Sequence, residues 1–303
     1  MSKTAFASAL ERSAPLIIDG GLATQLEAQG CDISNPLWSA SLLLEQPREI
    51  IAASRAFLDA GAECIATASY QASYEGFSQQ GLSSEKAREL MLLSVELALE
   101  ARGQSRALIA ASIGPYGAML HDGSEYRGDY DVAMETLRAF HAGRLRLFDE
   151  SEADILACET IPSIGEARVL AELLAGCDTP AWVSFSCPDA QHISDGTPVE
   201  EAAAVFRDHP TVLAVGLNCT PPQYATELVR RFRASLPGKA VIAYPNSGET
   251  WDAASGAWSG TASPLDFAAA ADDWVAAGAS IVGGCCRTGP GHIAAIGKKL
   301  RTA

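Results

Sequence analysis

Residues 154–167 read DILACETIPSIGEA, and they contain one complete unit of the predicted fold. Asp154–Cys158 is a mainly apolar run without alternation, which is typical of a parallel strand buried on both faces. A polar residue, Glu159, follows this strand directly. Ser163 and Glu166 then have the spacing of a capping box, a signal that begins a helix. The stretch therefore predicts a strand, a short loop and a helix.

The same unit recurs along the whole chain. Eight runs rich in Val, Ile and Ala are candidate strands: Leu16–Asp19, Glu63–Thr67, Leu108–Ile113, Asp154–Cys158, Trp182–Ser186, Leu213–Leu217, Val241–Tyr244 and Ser280–Gly283. From Ile17 to Ile281 there are 264 residues in seven intervals, about 38 each. This is the length that a strand, a loop, a helix and a return loop need.

Regular alternation of strands and helices, with no linker rich in Pro, Ser or charge, indicates one domain over residues 1–303. We predict an α/β fold of the (β/α)8 barrel type, with the active site at the C-terminal mouth. The alternative is an open, doubly wound sheet. It is disfavoured because no Gly-x-Gly-x-x-Gly turn follows Asp19, where a dinucleotide-binding fold would have one.

Helix signals support this alternation. An apolar stripe over Ser84–Arg102 ends at Gly103, as expected for a helix that packs one face on a sheet. Thr197, Pro198 and Glu200 repeat the capping pattern with proline at the first helical position, and Ser263, Pro264 and Asp266 form a close variant.

The composition indicates a globular protein that binds small molecules. The chain has 303 residues, 48% of them hydrophobic, and a formal net charge of −15. This charge disfavours nucleic acid and anionic membranes as partners. We expect no membrane-spanning helix, because no apolar run reaches about 18 residues, and no secretory signal. The eight cysteines are then expected to be reduced thiols of a cytoplasmic protein.

Three long loops follow candidate strands, whereas most returns into strands are short. The long loops are Ala68–Ser83, Gly114–Tyr130 and Pro245–Ser263. In a barrel they would all lie at the C-terminal mouth, where active sites are built. Gly114–Tyr130 is the loop that we expect to close over a substrate.

Three cysteines lie at the ends of the sixth and eighth candidate strands. Alternate strands are about 10 Å apart, so the thiols of Cys219, Cys285 and Cys286 could share one ion. Both neighbouring cysteines can face that ion only if the backbone bends, which Gly283 and Gly284 make easy. Three cysteines with an open fourth position would suit a catalytic zinc. Buried thiols, or a Cys285–Cys286 disulfide, are the alternatives.

Several motifs together resemble one known family over essentially the whole chain. Three are Asp19-Gly20-Gly21, Gly216-Leu217-Asn218-Cys219 and Gly283-Gly284-Cys285-Cys286-Arg287-Thr288, which resemble the signatures of the zinc-dependent homocysteine S-methyltransferase family. Others resemble its S-methylmethionine-using branch: Leu37-Trp38-Ser39, Thr67-Ala68-Ser69-Tyr70-Gln71-Ala72, Ser124-Glu125-Tyr126-Arg127-Gly128-Asp129-Tyr130, Cys158-Glu159-Thr160 and Tyr244-Pro245-Asn246-Ser247-Gly248-Glu249.

The resemblance implies a (β/α)8 barrel, zinc held by Cys219, Cys285 and Cys286, and methyl transfer to homocysteine to form methionine. It also implies that Glu159 and Asp19 bind the ammonium group of homocysteine. Backbone N–H groups around Gly20 and Gly21 could hold the carboxylate. Asp19 could instead cap the helix that begins near Leu22.

The donor site is less constrained by the sequence. A sulfonium cation is attracted to aromatic faces, and the candidates in the mouth loops are Trp38, Tyr70, Tyr126 and Trp251, each of which could instead hold a loop in place. Asn246 is a candidate for orienting the metal site or a substrate. S-adenosylmethionine is an alternative donor and selenocysteine an alternative acceptor, while zinc storage or redox sensing would use the same cysteines without a substrate.

Overall fold

The structure, a computed structural model, describes residues 4–33, 38–252, 257–259 and 263–301, with the backbone alone for 38, 39, 250–252 and 257–259. The strands are β1 (Leu16–Ile17), β2 (Cys64–Ala66), β3 (Leu108–Ile113), β4 (Ile155–Ile161), β5 (Ala181–Phe185), β6 (Val212–Asn218), β7 (Ala240–Tyr244), β8 (Thr250–Asp252), β9 (Ala257–Ser259) and β10 (Ile281–Val282). All eight candidate strands are confirmed.

Helices follow the strands. They are α1 (Ala5–Leu10), α2 (Leu22–Ala28), α3 (Leu42–Glu45), α4 (Pro47–Asp59), α5 (Tyr74–Gln79), α6 (Ser84–Arg102), α7 (Tyr116–Leu120), α8 (Met134–Asp149), α9 (Ile164–Leu174), α10 (Val199–Ala204), α11 (Pro222–Ser235), α12 (Pro264–Ala276) and α13 (Pro290–Arg301). Trp38–Ser41 and Ser124–Tyr126 are short 3-10 helices. Within the described ranges, no helix is both long and apolar enough to cross a membrane.

The strands form two sheets, and the eight strands of the larger sheet are parallel and form a closed ring. Their order is β1-β10-β7-β6-β5-β4-β3-β2, and a parallel bridge between Ile18 and Cys64 joins the two ends. At that seam the Glu63 N–H donates to the Ile17 carbonyl at 2.7 Å and the Asp19 N–H to the Cys64 carbonyl at 3.0 Å. The (β/α)8 barrel is therefore confirmed, and the open sheet is excluded.

The strands alternate between two packed layers. Side chains such as Ile155, Ala157 and Trp182 fill the barrel interior, whereas Leu156 and Cys158 pack outward in the helix-facing core. Phe6 of α1 is fully buried against Trp182, with ring centroids 6.0 Å apart. Because Trp182 lies near the start of β5, helix α1 covers the N-terminal end of the barrel and leaves the other end for the site.

The helix signals are confirmed in part. The side chains of Ser83, Ser163 and Ser263 cap α6, α9 and α12 by accepting backbone N–H groups. The helix start predicted at Thr197 and Pro198 is present as α10, but Pro198 takes the N-cap position and no side chain caps the helix. The capping box of α9 is half formed, since Glu166 hydrogen-bonds elsewhere.

The Glu166 carboxylate instead holds the loop after β3. It accepts the Tyr116 N–H at 2.7 Å, the Tyr130 hydroxyl, and a hydrogen bond with His141 Nε2 at 2.6 Å. Tyr116 and Tyr130 lie near the two ends of the loop Gly114–Tyr130. This buried carboxylate therefore fixes both ends of a mouth loop, which is a use of Glu166 that the capping pattern does not reveal.

Gly216 sets how closely β6 and β7 can approach. It pairs with Ile242 across the two strands, and a Cβ at this position would lie 1.9 Å from the Ile242 carbonyl oxygen. We expect Gly216→Ala to lower the free energy of unfolding by at least about 3 kcal/mol, because the strands would have to separate. Urea denaturation measures this.

Gly176→Ala is the matched control, because its Cβ would lie 3.6 Å from the Leu173 carbonyl oxygen, an ordinary contact. Equal stability of the two variants would contradict the close approach at Gly216.

Candidate active site and metal centre

A β-bulge in β4 turns two consecutive polar side chains toward the barrel mouth. Cys158 pairs with Val183 and Ile161 with Phe185, so Glu159 and Thr160 together face one residue of β5. Thr160 has a φ of 62°, a left-handed conformation that is unfavourable for a β-branched residue. The predicted strand ended at Cys158; the structure extends it through this bulge, and bulges often redirect side chains beside active sites.

Glu159 is held by two hydroxyl groups inside the barrel. Ser112 of β3 donates to its Oε1, and the Tyr244 hydroxyl of β7 donates to its Oε2 at 2.9 Å. Burial raises the pKa of the Glu159 carboxyl to about 7, although these hydrogen bonds oppose the rise. Among the described residues this carboxylate has no ion-pair partner, and a bound ammonium would supply one.

Asp19 lies beside the seam of the barrel and is 5% exposed. Its Oδ2 accepts the Ala66 N–H at 2.7 Å. Burial raises its pKa to about 8, and the charge of Glu159 contributes to the rise. The alternative role as a helix cap is wrong, because α2 begins at Gly21 without a side-chain cap. Asp19 is thus buried and Glu159 half-buried, and the two carboxyl groups act on each other.

Three cysteine sulfurs converge next to these carboxyl groups. The Sγ atoms of Cys219, Cys285 and Cys286 all lie within 4.8 Å of one another, with 3.5 Å between those of Cys219 and Cys286. All eight cysteines are free thiols, so the structure does not have a Cys285–Cys286 disulfide. Cys219 follows β6 with a φ of 46°.

The bend predicted at the glycine pair is present. Strand β10 ends at Val282, so both cysteines lie in a turn where strand alternation no longer applies. The Cys285 N–H donates to the Pro245 carbonyl at 2.9 Å, and the Gly284 N–H to the Asp19 carbonyl at 3.0 Å. A Cβ on Gly284 would lie 2.2 Å from Thr288 Oγ1. Only glycine fits there.

The donor set suits a soft metal ion. Three sulfur ligands from one cluster are typical of zinc and of other thiophilic metals. Hydrogen bonds from the thiols of Cys219 and Cys285 hold the pKa of Cys286 well below its usual value, so one thiolate is already favoured. The three residues therefore form a candidate metal site at the barrel mouth.

Asn218 connects the carboxylate side of the mouth with the thiols. Its Nδ2 donates to Thr160 Oγ1 at 2.7 Å and lies 3.9 Å from the Cys285 sulfur. Its Oδ1 accepts the Thr160 N–H at 2.7 Å and the Ser184 hydroxyl at 2.8 Å. Ser184 in turn hydrogen-bonds with the Tyr244 hydroxyl at 2.5 Å. The strained turn at Thr160 is held by this network.

The other predicted substrate residues have different surroundings. The Tyr70 hydroxyl bonds with Thr160, and burial raises its pKa well above the usual value. The Tyr126 hydroxyl lies 3.7 Å from the Cys219 sulfur. Asn246 donates its N–H to the Thr220 carbonyl at 3.0 Å, and its buried Oδ1 has no partner among the described residues. These three remain candidates.

Gly20 and Gly21 lie against the turn that follows Cys286. The Gly21 N–H donates to the Thr288 carbonyl at 2.9 Å and lies 3.2 Å from its Oγ1, so this amide is already engaged. Of the two glycine N–H groups predicted to bind the homocysteine carboxylate, only that of Gly20 remains a candidate. The side chains of Trp38 and Trp251 lie outside the described residues. Arg287 forms an ion pair with Glu249 at 2.7 Å.

Several residues at the site had no role in the sequence analysis. Ser184, Thr160 and Glu125 are the main ones. Ser184 occupies an inward position of β5, two residues after Trp182, so strand alternation could have identified it. The bulge at Thr160 and the buried position of Glu125 leave no comparable pattern.

The chain is similar to known proteins over almost its whole length. The sequence model described as homocysteine S-methyltransferase matches residues 16–300. Homocysteine S-methyltransferase YbgG of Bacillus subtilis is 43% identical, with 95% of this chain and 96% of that protein covered. A selenocysteine Se-methyltransferase of Brassica oleracea var. italica is 43% identical over 94% of this chain and 88% of that protein.

A solved structure is also similar. The metallated form of the homocysteine methyltransferase MmuM from Escherichia coli superimposes with a TM-score of 0.87 at 40% identity, covering 98% of this chain and 99% of that one. With this agreement in sequence, in fold and in a cysteine cluster suited to metal, the chain belongs to the homocysteine S-methyltransferase family.

Proposed function

We propose that the protein transfers a methyl group from S-methylmethionine to homocysteine, with zinc held by Cys219, Cys285 and Cys286. The convergence of three sulfurs within 4.8 Å of one another, beside the carboxyl groups of Asp19 and Glu159, is the observation that carries the proposal. Three protein ligands would leave the fourth position of a tetrahedral zinc for the sulfur of homocysteine. Bound zinc would favour the thiolate form of that sulfur at neutral pH.

Asp19 and Glu159 are proposed to bind the ammonium group of homocysteine. Their pKa values are raised to about 8 and about 7 by burial, because neither carboxylate has a cation beside it among the described residues. An ammonium group would stabilise both charges at once. This selects an amino-acid thiol over a simple thiol, since a neutral ligand would leave the two carboxyl groups unpaired.

Ser112, Tyr244 and Asn218 are proposed to position the binding groups. The first two fix both oxygens of Glu159, and Asn218 fixes the turn at Thr160. The N–H of Gly20 is a candidate for the substrate carboxylate, and Asn246 with its unpartnered Oδ1 is a further substrate contact. Trp38, Tyr70 and Tyr126 are proposed to line the path of the donor.

The transfer itself is an in-line displacement. The homocysteine thiolate attacks the methyl carbon of the sulfonium, the bond from that carbon to the donor sulfur breaks, and its electron pair stays on the donor sulfur. With S-methylmethionine, both products are methionine. Holding the two sulfurs and the methyl carbon in line contributes several kcal/mol, about 7 or more in favourable cases.

S-adenosylmethionine is the alternative donor, since it presents the same sulfonium. Selenocysteine is a second candidate acceptor, because a relative of similar identity is named selenocysteine Se-methyltransferase. A storage or sensing role would need the cysteines alone and gives no reason for burying Asp19 and Glu159. Eight free cysteines suit a reducing compartment such as the cytoplasm.

Cys285→Ala tests the metal and the reaction together. We expect stoichiometric zinc in the wild-type protein, measured by elemental analysis, and methionine formation from homocysteine and S-methylmethionine. In the variant both should fall by at least about 100-fold, because two thiolates bind zinc poorly.

Cys177→Ala is the matched control, because this thiol follows α9 and donates to the Leu173 carbonyl, away from the mouth. Turnover by wild-type protein without bound metal would refute the zinc assignment.

Glu159→Gln tests the ammonium contact. The amide keeps the size of the side chain and removes its charge, and loss of a charged hydrogen bond costs about 2 kcal/mol. We expect the KM for homocysteine to rise about 30-fold with zinc content unchanged. A KM within twofold of wild type would show that the ammonium binds elsewhere.

The pH dependence of homocysteine binding should reflect the same groups. Free Asp19 and Glu159, with pKa values of about 8 and about 7, hold protons that an ammonium ligand must displace. The KM for homocysteine should therefore fall as pH rises from about 6 to about 8. In Glu159→Gln the KM for homocysteine should fall less steeply than in wild type over this pH range. Identical pH profiles would show that the Glu159 carboxyl does not contribute to the pH dependence.

A further inference from the structure

Glu125 is a half-buried acid whose carboxylate is only partly paired within the described residues. It lies in the short helix Ser124–Tyr126, within the mouth loop that follows β3. Its Oε2 atom is buried and accepts no hydrogen bond from any described residue. A buried carboxylate oxygen without a donor is costly, so such a group indicates a ligand that completes it.

The backbone of Glu125 is held firmly on both sides. Its carbonyl accepts the Ser186 hydroxyl at 3.0 Å, at the end of β5. Its N–H lies against α7, where a Cβ on Gly117 would come within 2.6 Å of the Glu125 nitrogen. The next residue, Tyr126, places its hydroxyl 3.7 Å from the Cys219 sulfur. Glu125 is therefore fixed above the thiols and is not a mobile surface acid.

The charge of Glu125 acts on the groups of the mouth. Burial is the largest cause of the raised pKa of Tyr70, and the charge of Glu125 is the next largest. Burial raises the pKa of Glu125 itself, a hydrogen bond from its own N–H lowers it, and the charges of Cys219 and Arg127 act on it in opposite directions. The carboxylate, the Tyr70 hydroxyl and the thiol of Cys219 thus share one electrostatic environment at the entrance to the candidate metal site.

The nearest cation along the chain is engaged elsewhere. Arg127 forms ion pairs with Asp129 at 3.1 Å and Asp122 at 3.9 Å on the exposed side of the loop. Glu125 has no ion pair within the ranges that the structure describes. It is a third carboxyl group at a mouth that also holds Asp19 and Glu159, and a bound cation would stabilise the ionised forms of these groups.

We propose that Glu125 binds the positive charge of the sulfonium methyl donor. This inference rests on the proposed function and deepens it, by naming the residue that selects a cationic donor. Tyr70 and Tyr126 flank the same position and would present their aromatic faces to that cation. When the methyl group leaves, the donor sulfur keeps the bonding electron pair and becomes a neutral thioether. The attraction at that sulfur then ends, which favours product release.

Glu125→Gln tests this role, with Glu135→Gln as the matched control. Glu135 lies ten positions further on in the exposed first turn of α8, so the control loses an identical charge outside the mouth. Calorimetric titration of the zinc-loaded protein with S-methylmethionine should give a Kd at least about tenfold higher for Glu125→Gln, as expected for a lost charged contact. The control should match wild type.

Two further readouts separate this role from a structural one. Zinc content and the KM for homocysteine should stay within twofold of wild type in Glu125→Gln, whereas the KM for the donor should rise with its Kd. Glu125→Asp keeps the charge on a shorter side chain and should recover part of the affinity. An unchanged donor Kd in Glu125→Gln would overturn the proposal.

A second probe tells which charge of the donor is bound. Dimethylsulfoniopropionate has a sulfonium but no ammonium group. Weaker binding of both probes to Glu125→Gln places the carboxylate at the sulfonium and supports the proposal, whereas weaker binding of S-methylmethionine alone places it at the ammonium and overturns the assignment to the sulfonium. Wild-type protein that binds the donor without forming methionine would refute the proposed reaction while leaving the role of Glu125 intact.

Discussion

The contact between the first and the last barrel strands is the constraint on which the rest of the site depends. Strand β1 pairs with β10 on one side and, through Ile18 and Cys64, with β2 on the other. Beyond the strands, the Gly284 N–H continues this contact by donating to the Asp19 carbonyl at 3.0 Å. The carboxyl group of Asp19 and the thiols of Cys285 and Cys286 are 266 or more positions apart in the sequence, and closure alone brings them together.

Closure also explains the charge pattern of the mouth. Parallel strands present their carboxyl ends at one rim, so polar residues that follow different strands share a small volume with little water. Asp19, Glu159 and Glu125 all have raised pKa values, with burial as the largest cause. Such carboxyl groups lower the stability of the folded chain when they ionise. The protein tolerates this cost because the same groups can bind cationic ligands tightly.

The sequence predicted the parts of the structure that repeat. Apolar runs located all eight strands, since a strand buried on both faces needs an unbroken set of small apolar side chains. Serine caps located the starts of α9 and α12 because the hydroxyl accepts a local N–H. The side-chain cap at Thr197 is absent because the fixed φ of Pro198 suits the N-cap there and leaves no geometry for a threonine cap. The second half of the capping box at Glu166 is absent because its carboxyl oxygens hydrogen-bond with Tyr116, Tyr130 and His141.

The sequence predicted the site only where residues close together in the chain, or at the ends of neighbouring strands, carry its chemical groups. The three cysteines could be grouped because strand order fixes which strand ends are near each other. Their common orientation depends on a turn after Val282, which the glycine pair made foreseeable. By contrast, the network of Ser184, Asn218 and Tyr244 joins residues of three strands. Nothing local in the sequence specifies which of several inward hydroxyl groups will meet an amide.

Backbone strain is concentrated where the site is built. In the described ranges, four residues other than glycine have positive φ, and three of them, Thr160, Cys219 and Arg287, border the mouth. Each such conformation costs about 1–2 kcal/mol. Two of the three are held by a side-chain acceptor from another element: Asn218 Oδ1 accepts the Thr160 N–H at 2.7 Å, and Thr24 Oγ1 accepts the Arg287 N–H at 2.9 Å.

These acceptors explain why the strained turns persist. A regular continuation of β4 would send Thr160 outward, away from Asn218, and a regular β10 would separate the two neighbouring cysteines onto opposite faces. The amide of Asn218 opposes the first outcome, and the turn around Arg287 prevents the second. The strain is therefore a consequence of bringing consecutive side chains to the same side of the backbone, which both the carboxylate and the thiol halves of the mouth require.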